Sequence, residues 1–153
     1  MTDRPTRVRI VGAGRAGRSF AVALGDAGWQ VDLVHHDHPD PGDGADLVLT
    51  CVPDTAVGPL AASWPVRGEV VVAHCAGSLG LDVLAPHPLV GSVHPLVALP
   101  DPGTGAARLR GAWFGIAGHP WMQSVVDVLG GTSVTVEDQD RVFQRFWRGD
   151  PRE

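Results

Sequence analysis

Apolar residues fall in two rhythms along this chain. Short runs rich in β-branched side chains alternate with longer stretches in which apolar positions recur every three or four residues. Arg7 to Val11 (RVRIV) is the first such run, and it breaks directly into Gly12-Ala13-Gly14-Arg15-Ala16-Gly17 before Arg18 to Ala27 takes up helical spacing. This pattern predicts strand, tight turn and helix. Gly28 stops the helix, and Trp29 to Val34 (WQVDLV) is predicted as a second strand. Residues 35–45, HHDHPDPGDGA, hold two Pro and two Gly and are predicted as loop. Asp46 to Val52 is a continuous apolar strand of the kind buried on both faces of a parallel sheet. Pro53 and Asp54 end it, with Asp54 placed to cap a helix running to about Ser63, and Glu69 to His74 is a further buried strand.

Beyond Cys75-Ala76-Gly77-Ser78, a short helix is predicted over Leu79 to Leu84 and a strand over Val90 to His94, leading into Pro95. Leu99 to Ala106 is predicted as a Pro/Gly loop, Ala112 to Ala117 as a strand, Pro120 to Leu129 as a helix with Pro in its first turn, and Ser133 to Val136 as a last strand. The alternation of β and α predicts an α/β, Rossmann-like, doubly wound and mainly parallel sheet. One length departs from the usual pattern. An ordinary dinucleotide fold places a helix, a third strand and another helix between its second and fourth strands, yet only eleven residues separate Val34 from Asp46. Eleven extended residues reach about 36 Å, enough to cross a neighbouring strand but not to build that unit. The strand-three unit is therefore expected to be absent, leaving the order 2-1-4-5-6 in that fold's own numbering, with strand two at an edge.

Composition narrows the chemistry. The 153 residues are 44% hydrophobic and 19% charged with a formal net charge of −5, the profile of one domain. There is no Lys, Tyr or Asn, and all twelve basic residues are Arg. A Walker-type phosphate loop, a Schiff-base lysine and a Tyr/Lys proton-transfer pair are thereby excluded. A domain of this size hides about 70% of the surface of its extended chain, so its core needs no disulfides. Cys51 and Cys75 lie in apolar runs without CxxC spacing and read as small hydrophobes in a reducing compartment, which gives a cytoplasmic expectation. Met1 to Arg7 contains no apolar stretch, and no run approaches the roughly 18 apolar residues of a membrane span. Scattered arginines in an acidic chain make no basic stripe, so neither a membrane nor a nucleic-acid partner is expected.

The turn Gly12-Ala13-Gly14-Arg15-Ala16-Gly17 carries the chemistry. In the strand-turn-helix setting of a dinucleotide site the first glycine permits the tight turn, the second lets a pyrophosphate approach, and the third lets helix and strand pack closely. The competing reading is that these glycines only pack a helix on a strand. Cofactor choice turns on the end of strand two, where an acid would take the ribose 2′-hydroxyl and a cation a 2′-phosphate. His35 stands where that acid is expected and His36 follows it. Arg15 and His36 suit a 2′-phosphate, which favours NADP over NAD, while a solvated loop accounts equally for His35, His36 and His38. Adjacent histidines in a Pro/Gly loop have no frame to fix tetrahedral geometry, so no metal site is expected there.

The motifs IVGAGRAG, ADLVLTCVPD, VVAHCAGSLGLDVL, HPL and LRGAWFGIAG, in that order over about Arg7 to Arg141, resemble Rossmann-like proteins whose second half is a helical domain of unknown function. These sit in the broad 6-phosphogluconate-dehydrogenase-like group with pyrroline-5-carboxylate reductase, prephenate dehydrogenase, ketopantoate reductase and the deazaflavin-dependent NADP oxidoreductases. The resemblance implies NAD(P) binding and hydride transfer to a small keto or imino acid. It assigns Gly12, Gly14 and Gly17 to the phosphate turn, and Cys51-Val52-Pro53-Asp54 to the VPD loop beside the cofactor ribose. His74 and Gly77 match an HxSG-like motif in which Ala76 replaces the family's Ser, and His94-Pro95 matches an HP motif near the nicotinamide end of the cleft.

His94 is accordingly the acid/base candidate, with a histidine that merely braces its turn as the alternative. Ser78 either binds substrate or caps the helix after it. Residues 1–137 read as the dinucleotide-binding domain, and 138–153 as a remnant of a C-terminal helix and a polar tail. Relatives carry a longer helical domain there, with an Arg followed by Tyr-His, whereas Arg141 precedes Val142-Phe143-Gln144. Three readings follow: an oxidoreductase, or its nucleotide half, completed by a separate helical chain; a nucleotide-binding module without turnover; or a homodimer buried through Phe143, Phe146 and Trp147.

Overall fold

The computed structural model describes residues 4–135. Its elements run β1 (Arg7–Val11), α1 (Arg15–Asp26), β2 (Gln30–Val34), β3 (Leu47–Thr50), α2 (Asp54–Ser63), β4 (Val71–His74), a 3-10 turn (Asp82–Leu84), β5 (Leu89–Pro95), α3 (Pro102–Leu109), β6 (Trp113–Gly118), α4 (Trp121–Val128) and β7 (Thr132–Thr135). Val136 and the helix and tail expected over 138–153, with Arg141, Phe143, Phe146 and Trp147, lie outside the described residues.

Among the described residues seven strands form one sheet in the order β2-β1-β3-β4-β5-β6-β7. The first five are parallel, β6 runs antiparallel to β5, and β7 is parallel to β6. This is a Rossmann-like α/β fold without its strand-three unit, as the eleven-residue spacing requires. The 35–45 segment crosses from edge strand β2 to β3 with neither helix nor strand. Charged groups replace the missing elements as its anchors. Arg9 on β1 bonds Asp32 on β2 at 3.1 Å and donates to the carbonyls of Pro41 at 2.9 Å and Asp43 at 2.5 Å. The Arg67 guanidinium grips Asp40 and holds its carboxyl below the ordinary carboxylate value.

Period-two alternation divides the core between the two sheet faces. Leu47, Leu49, Val71 and Ala73 face one layer with Phe20, Leu24, Leu109, Phe114 and Met122. Val48 and Val72 face the other with Val57, Ala61, Trp64 and Leu84. Helices α1, α3 and α4 thus cover one face, and α2 with the 3-10 turn covers the opposite one.

Three expectations need correction. Leu99 to Ala106 was expected as loop, but Pro102–Leu109 is helix α3. Asp101 accepts the Thr104 N–H at 2.9 Å as its N-cap, and Pro102 stands at the start of the helix. Gly105 within it serves packing, not turning: a Cβ there would overlap Ser19 Oγ of α1. The helix expected over Leu79 to Leu84 is reduced to the 3-10 turn, because the loop before it is tied to His74. Asp54 does not cap α2. Pro53 is the N-cap residue, and the Asp54 carboxylate accepts from Ser78 Oγ at 2.5 Å instead.

Candidate functional site

In a parallel sheet the chain leaves every strand on the same edge, and a crevice opens where successive connections diverge. Here β1 is followed by β2 on one side and flanked by β3 on the other, so the divergence lies between β1 and β3. The glycine turn stands at that point.

Its three glycines answer to three different demands. Gly12 has φ +107°, a region open chiefly to glycine, and a Cβ there would overlap the Cys51 carbonyl oxygen. A Cβ on Gly17 would overlap the Gly12 carbonyl and meet Cys51 Cβ at 3.5 Å, so helix α1 could not rest on the strand ends. Gly14 is different. Its φ of −82° and ψ of −165° suit any residue, it is exposed, and a Cβ there would meet nothing within 4 Å. Neither backbone conformation nor internal packing calls for glycine at this position. Gly14 is the N-cap of α1 and supplies no side-chain cap, and the first turn contains no acid. The N–H groups opening α1 therefore carry the positive end of the helix dipole towards the crevice.

Two hollows meet at this turn. One, of about 670 Å³, is largely apolar and runs from Gly12, Ala13 and Gly14 past His36 to Ala56, Pro59 and Leu60 of α2. The other, of about 490 Å³, runs from Gly14, Arg15 and Ala16 to Asp54, Cys75, Ala76 and Leu99. They share Gly14, Cys51, Val52 and Pro53, and so form one continuous cleft across the strand ends. His36 lines the first hollow, while His35 is exposed outside that lining. Arg15 lines the second, so the cleft divides the two cationic candidates instead of bringing them together.

The loop after β4 is built by histidine. His74 is fully buried; its Nδ1 accepts the Ala76 N–H at 3.1 Å and its Nε2 donates to the Gly80 carbonyl at 3.0 Å. Burial pushes its pKa below the ordinary value, keeping the ring neutral, and both nitrogens are committed to the loop. His94, on β5, donates from Nδ1 to the Cys75 carbonyl at 3.1 Å. Since a carbonyl only accepts, that bond puts the hydrogen on Nδ1 and leaves Nε2 as the basic nitrogen. The ring lies against Gly77, where a Cβ would come within 2.6 Å of Nε2. Ser78 donates to Asp54, which lines the second hollow, and does not begin a helix.

Four contributors escaped the sequence reading. Arg18 donates from Nε to the Ala13 carbonyl at 2.7 Å and braces the turn from α1. Pro59 and Leu60 supply apolar wall on one side, and Leu99 on the other. Arg18 follows the motif by one residue and could have been suspected from that spacing; the others are brought in by tertiary packing alone.

The fold and cleft define a Rossmann-like architecture. Solved structures with this fold include a protein of Bacteroides fragilis assigned as an NADP oxidoreductase (TM-score 0.72, 16% identity, covering 94% of this chain and 65% of that one). A reductive aminase of Aspergillus terreus solved with NADPH4, cyclohexanone and allyl amine matches with a TM-score of 0.70 and 14% identity, over 93% of this chain and 61% of that one. A prephenate dehydrogenase of A. aeolicus solved with NAD+ and hydroxyphenyl propionate matches with a TM-score of 0.67 and 17% identity, over 90% of this chain and 63% of that one. The chain thus spans less than two thirds of the length of these structures. No family model and no curated protein matches the sequence. Among the described residues, no helix is long and apolar enough to cross a membrane.

Proposed function

We propose that this chain binds NAD(P), with NADP favoured over NAD, and that it belongs to the oxidoreductases acting on small keto or imino acids. The observation that carries this reading is Gly14. Packing alone explains Gly12 and Gly17, but the open space at Gly14 is accounted for by a ligand that approaches the backbone. In this reading a diphosphate lies on the N–H groups opening α1, and Arg18 keeps the turn in place through the Ala13 carbonyl. Adenosine occupies the apolar hollow between the turn and α2, with His36 towards its ribose, and Arg15 faces the diphosphate from the other hollow.

The nicotinamide end then reaches Cys75, Ala76 and the loop before His94. A bound nicotinamide would supply the hydride; the chain's residues orient it and handle the proton. His94 Nε2 is the nitrogen available for proton transfer, its ring held by the Cys75 carbonyl, and Ser78 with Asp54 offers a polar edge to a substrate. His74 takes no direct part and holds the loop in shape.

Hydride transfer favours a cleft closed by a second wall, which a second copy or a separate helical chain would provide. The two free cysteines support a cytoplasmic setting. The packing of His94 against Gly77 favours, as a second reading, a nucleotide-binding module in which this ring only braces its loop. Prephenate-dehydrogenase-like or ketopantoate-reductase-like turnover is a narrower form of the first reading.

The test is a titration of NADPH and NADH followed through the five tryptophans, with light scattering for assembly mass. Saturable NADPH binding that Gly14→Asp abolishes supports the site. No saturation by either nucleotide at millimolar concentration overturns it.

A further inference from the structure

Cys51 and Cys75 are far apart in sequence but share the floor of the cleft. Strands β3 and β4 are parallel with Thr50 opposite His74, so the next residues of the same ladder are Cys51 and Cys75. The two-residue period puts both side chains on the face of Leu49 and Ala73, and both join that core layer. Their Sγ atoms are 3.5 Å apart, and Cys75 Sγ is also 3.6 Å from the Thr50 carbonyl. Cys51 is buried, Cys75 is half-buried, and both line the hollow that contains Arg15 and Ala76. A pair of thiols this close needs to close by only about 1.5 Å to reach the S–S bond length of about 2.05 Å.

We propose that Cys51 and Cys75 form a redox-active dithiol, a modification site in the cleft floor, whose oxidation to an intramolecular disulfide weakens dinucleotide binding. The oxidant is a peroxide. The half-buried Cys75 sulfur, as thiolate, attacks a peroxide oxygen; the O–O bond breaks, the departing oxygen leaves as water after taking up protons, and Cys75 becomes a sulfenic acid. Cys51 sulfur then attacks Cys75 sulfur, the S–O bond breaks, and the sulfenic oxygen leaves as a second water with the Cys51 proton. Two thiols and one hydrogen peroxide give one disulfide and two waters. The contact with Cys75 and burial push the Cys51 thiol up, so Cys51 stays protonated while the half-buried Cys75 meets the oxidant first; its sulfur, 3.5 Å from Cys75 Sγ, gives up its proton as it attacks in the second step.

The consequence for the cleft follows from what Cys51 supports. The turn packs closely on Cys51: a Cβ at Gly12 would overlap the Cys51 carbonyl, and one at Gly17 would overlap the Gly12 carbonyl and touch Cys51 Cβ. Drawing Cys51 towards Cys75 moves the surface on which the phosphate turn sits. This gating rests on the dinucleotide reading above; the disulfide itself does not.

The reduced full chain, treated with stoichiometric hydrogen peroxide, is expected to lose about 2 Da and both alkylatable thiols, with Cys51 and Cys75 joined in one peptide pair. NADPH affinity should then fall roughly tenfold and recover with dithiothreitol. Excess NADPH should slow alkylation of Cys75 in the reduced chain. Cys75→Ser should lose the affinity response to peroxide, and Cys51→Ala provides a second variant should the serine perturb the fold. Mass gain by sulfinic or sulfonic acid without a disulfide, or a disulfide only between chains, overturns the dithiol. An intramolecular disulfide with unchanged NADPH affinity overturns the gating. If the reduced chain binds neither nucleotide, the dinucleotide reading and the gating both fail, while mass loss still establishes the modification site.

Discussion

The imidazole of His94 lies directly on Gly77, so close that a Cβ at that glycine would stand 2.6 Å from both Cδ2 and Nε2. The ring cannot simply swing aside, because Nδ1 is bonded to the Cys75 carbonyl. Gly77→Ala is therefore expected to break that bond or shift the loop, at about 1–3 kcal/mol of overpacking cost. Urea denaturation measures the loss, and NADPH titration of the folded variant shows whether the cleft floor moves with the ring. A variant as stable as the parent would contradict the close approach.

The three glycines of the turn should separate cleanly. Gly12→Ala is strained at φ +107° and collides with the Cys51 carbonyl, and its expected cost of about 3 kcal/mol or more is a large share of a typical domain's stability. Gly14→Ala should stay within about 1 kcal/mol of the parent, since its backbone is ordinary and its surroundings are open. Yet Gly14→Ala should lower nucleotide affinity at least roughly tenfold, because the methyl occupies the approach of the diphosphate. Equal stability losses at the two positions would remove the argument for a ligand at Gly14.

Acid should destabilise the fold in a window set by histidine. Burial lowers the pKa of His74, and half-buried His119 is lowered by the same cause, relative to the ordinary 6.5. The unfolded chain regains the ordinary value, so as pH falls below about 6.5 it takes up protons that the folded chain refuses. Stability is complete above that pH and declines below it until the folded groups themselves titrate, with a slope of at most about 1.4 kcal/mol per pH unit for each group. Urea midpoints at about pH 7.5 and 5.5 should differ in that sense, and His74→Gln should reduce the difference. Identical midpoints would refute this account.

His36 lines the apolar hollow beside the glycine turn and is the cationic candidate nearest the expected ribose. His36→Asp should therefore move preference towards NAD, weakening NADPH roughly tenfold while NADH binding is kept or improved. Parallel titrations of the two nucleotides decide it. Unchanged selectivity would contradict a role for His36 at the ribose, since Arg15 lines the other hollow.

Much of the architecture was legible because it depends on local pattern. The β-branched runs became strands, and the short 35–45 spacing correctly removed the third strand unit, since chain length bounds what a connection can build. Local pattern does not separate α3 from a loop, because glycine serves turns and tight helix contacts alike, and only the neighbouring Ser19 shows that Gly105 serves the second. The position of Asp54 fits a helix cap, but Ser78, brought close by the adjacent strand end, takes its carboxylate.

The sequence by itself thus determined the fold class, the order of the first five strands and the position of the phosphate turn, because hydrophobic periodicity, glycine placement and loop length act over a few residues, whereas the antiparallel docking of β6 and the place of β7 are tertiary. Only the tertiary structure decided that Gly14 is open while Gly12 and Gly17 are filled, that His74 is committed to its loop while His94 keeps one nitrogen, and that Cys51 meets Cys75. Those facts depend on strand register and on contacts between residues distant in the chain, which no local pattern encodes.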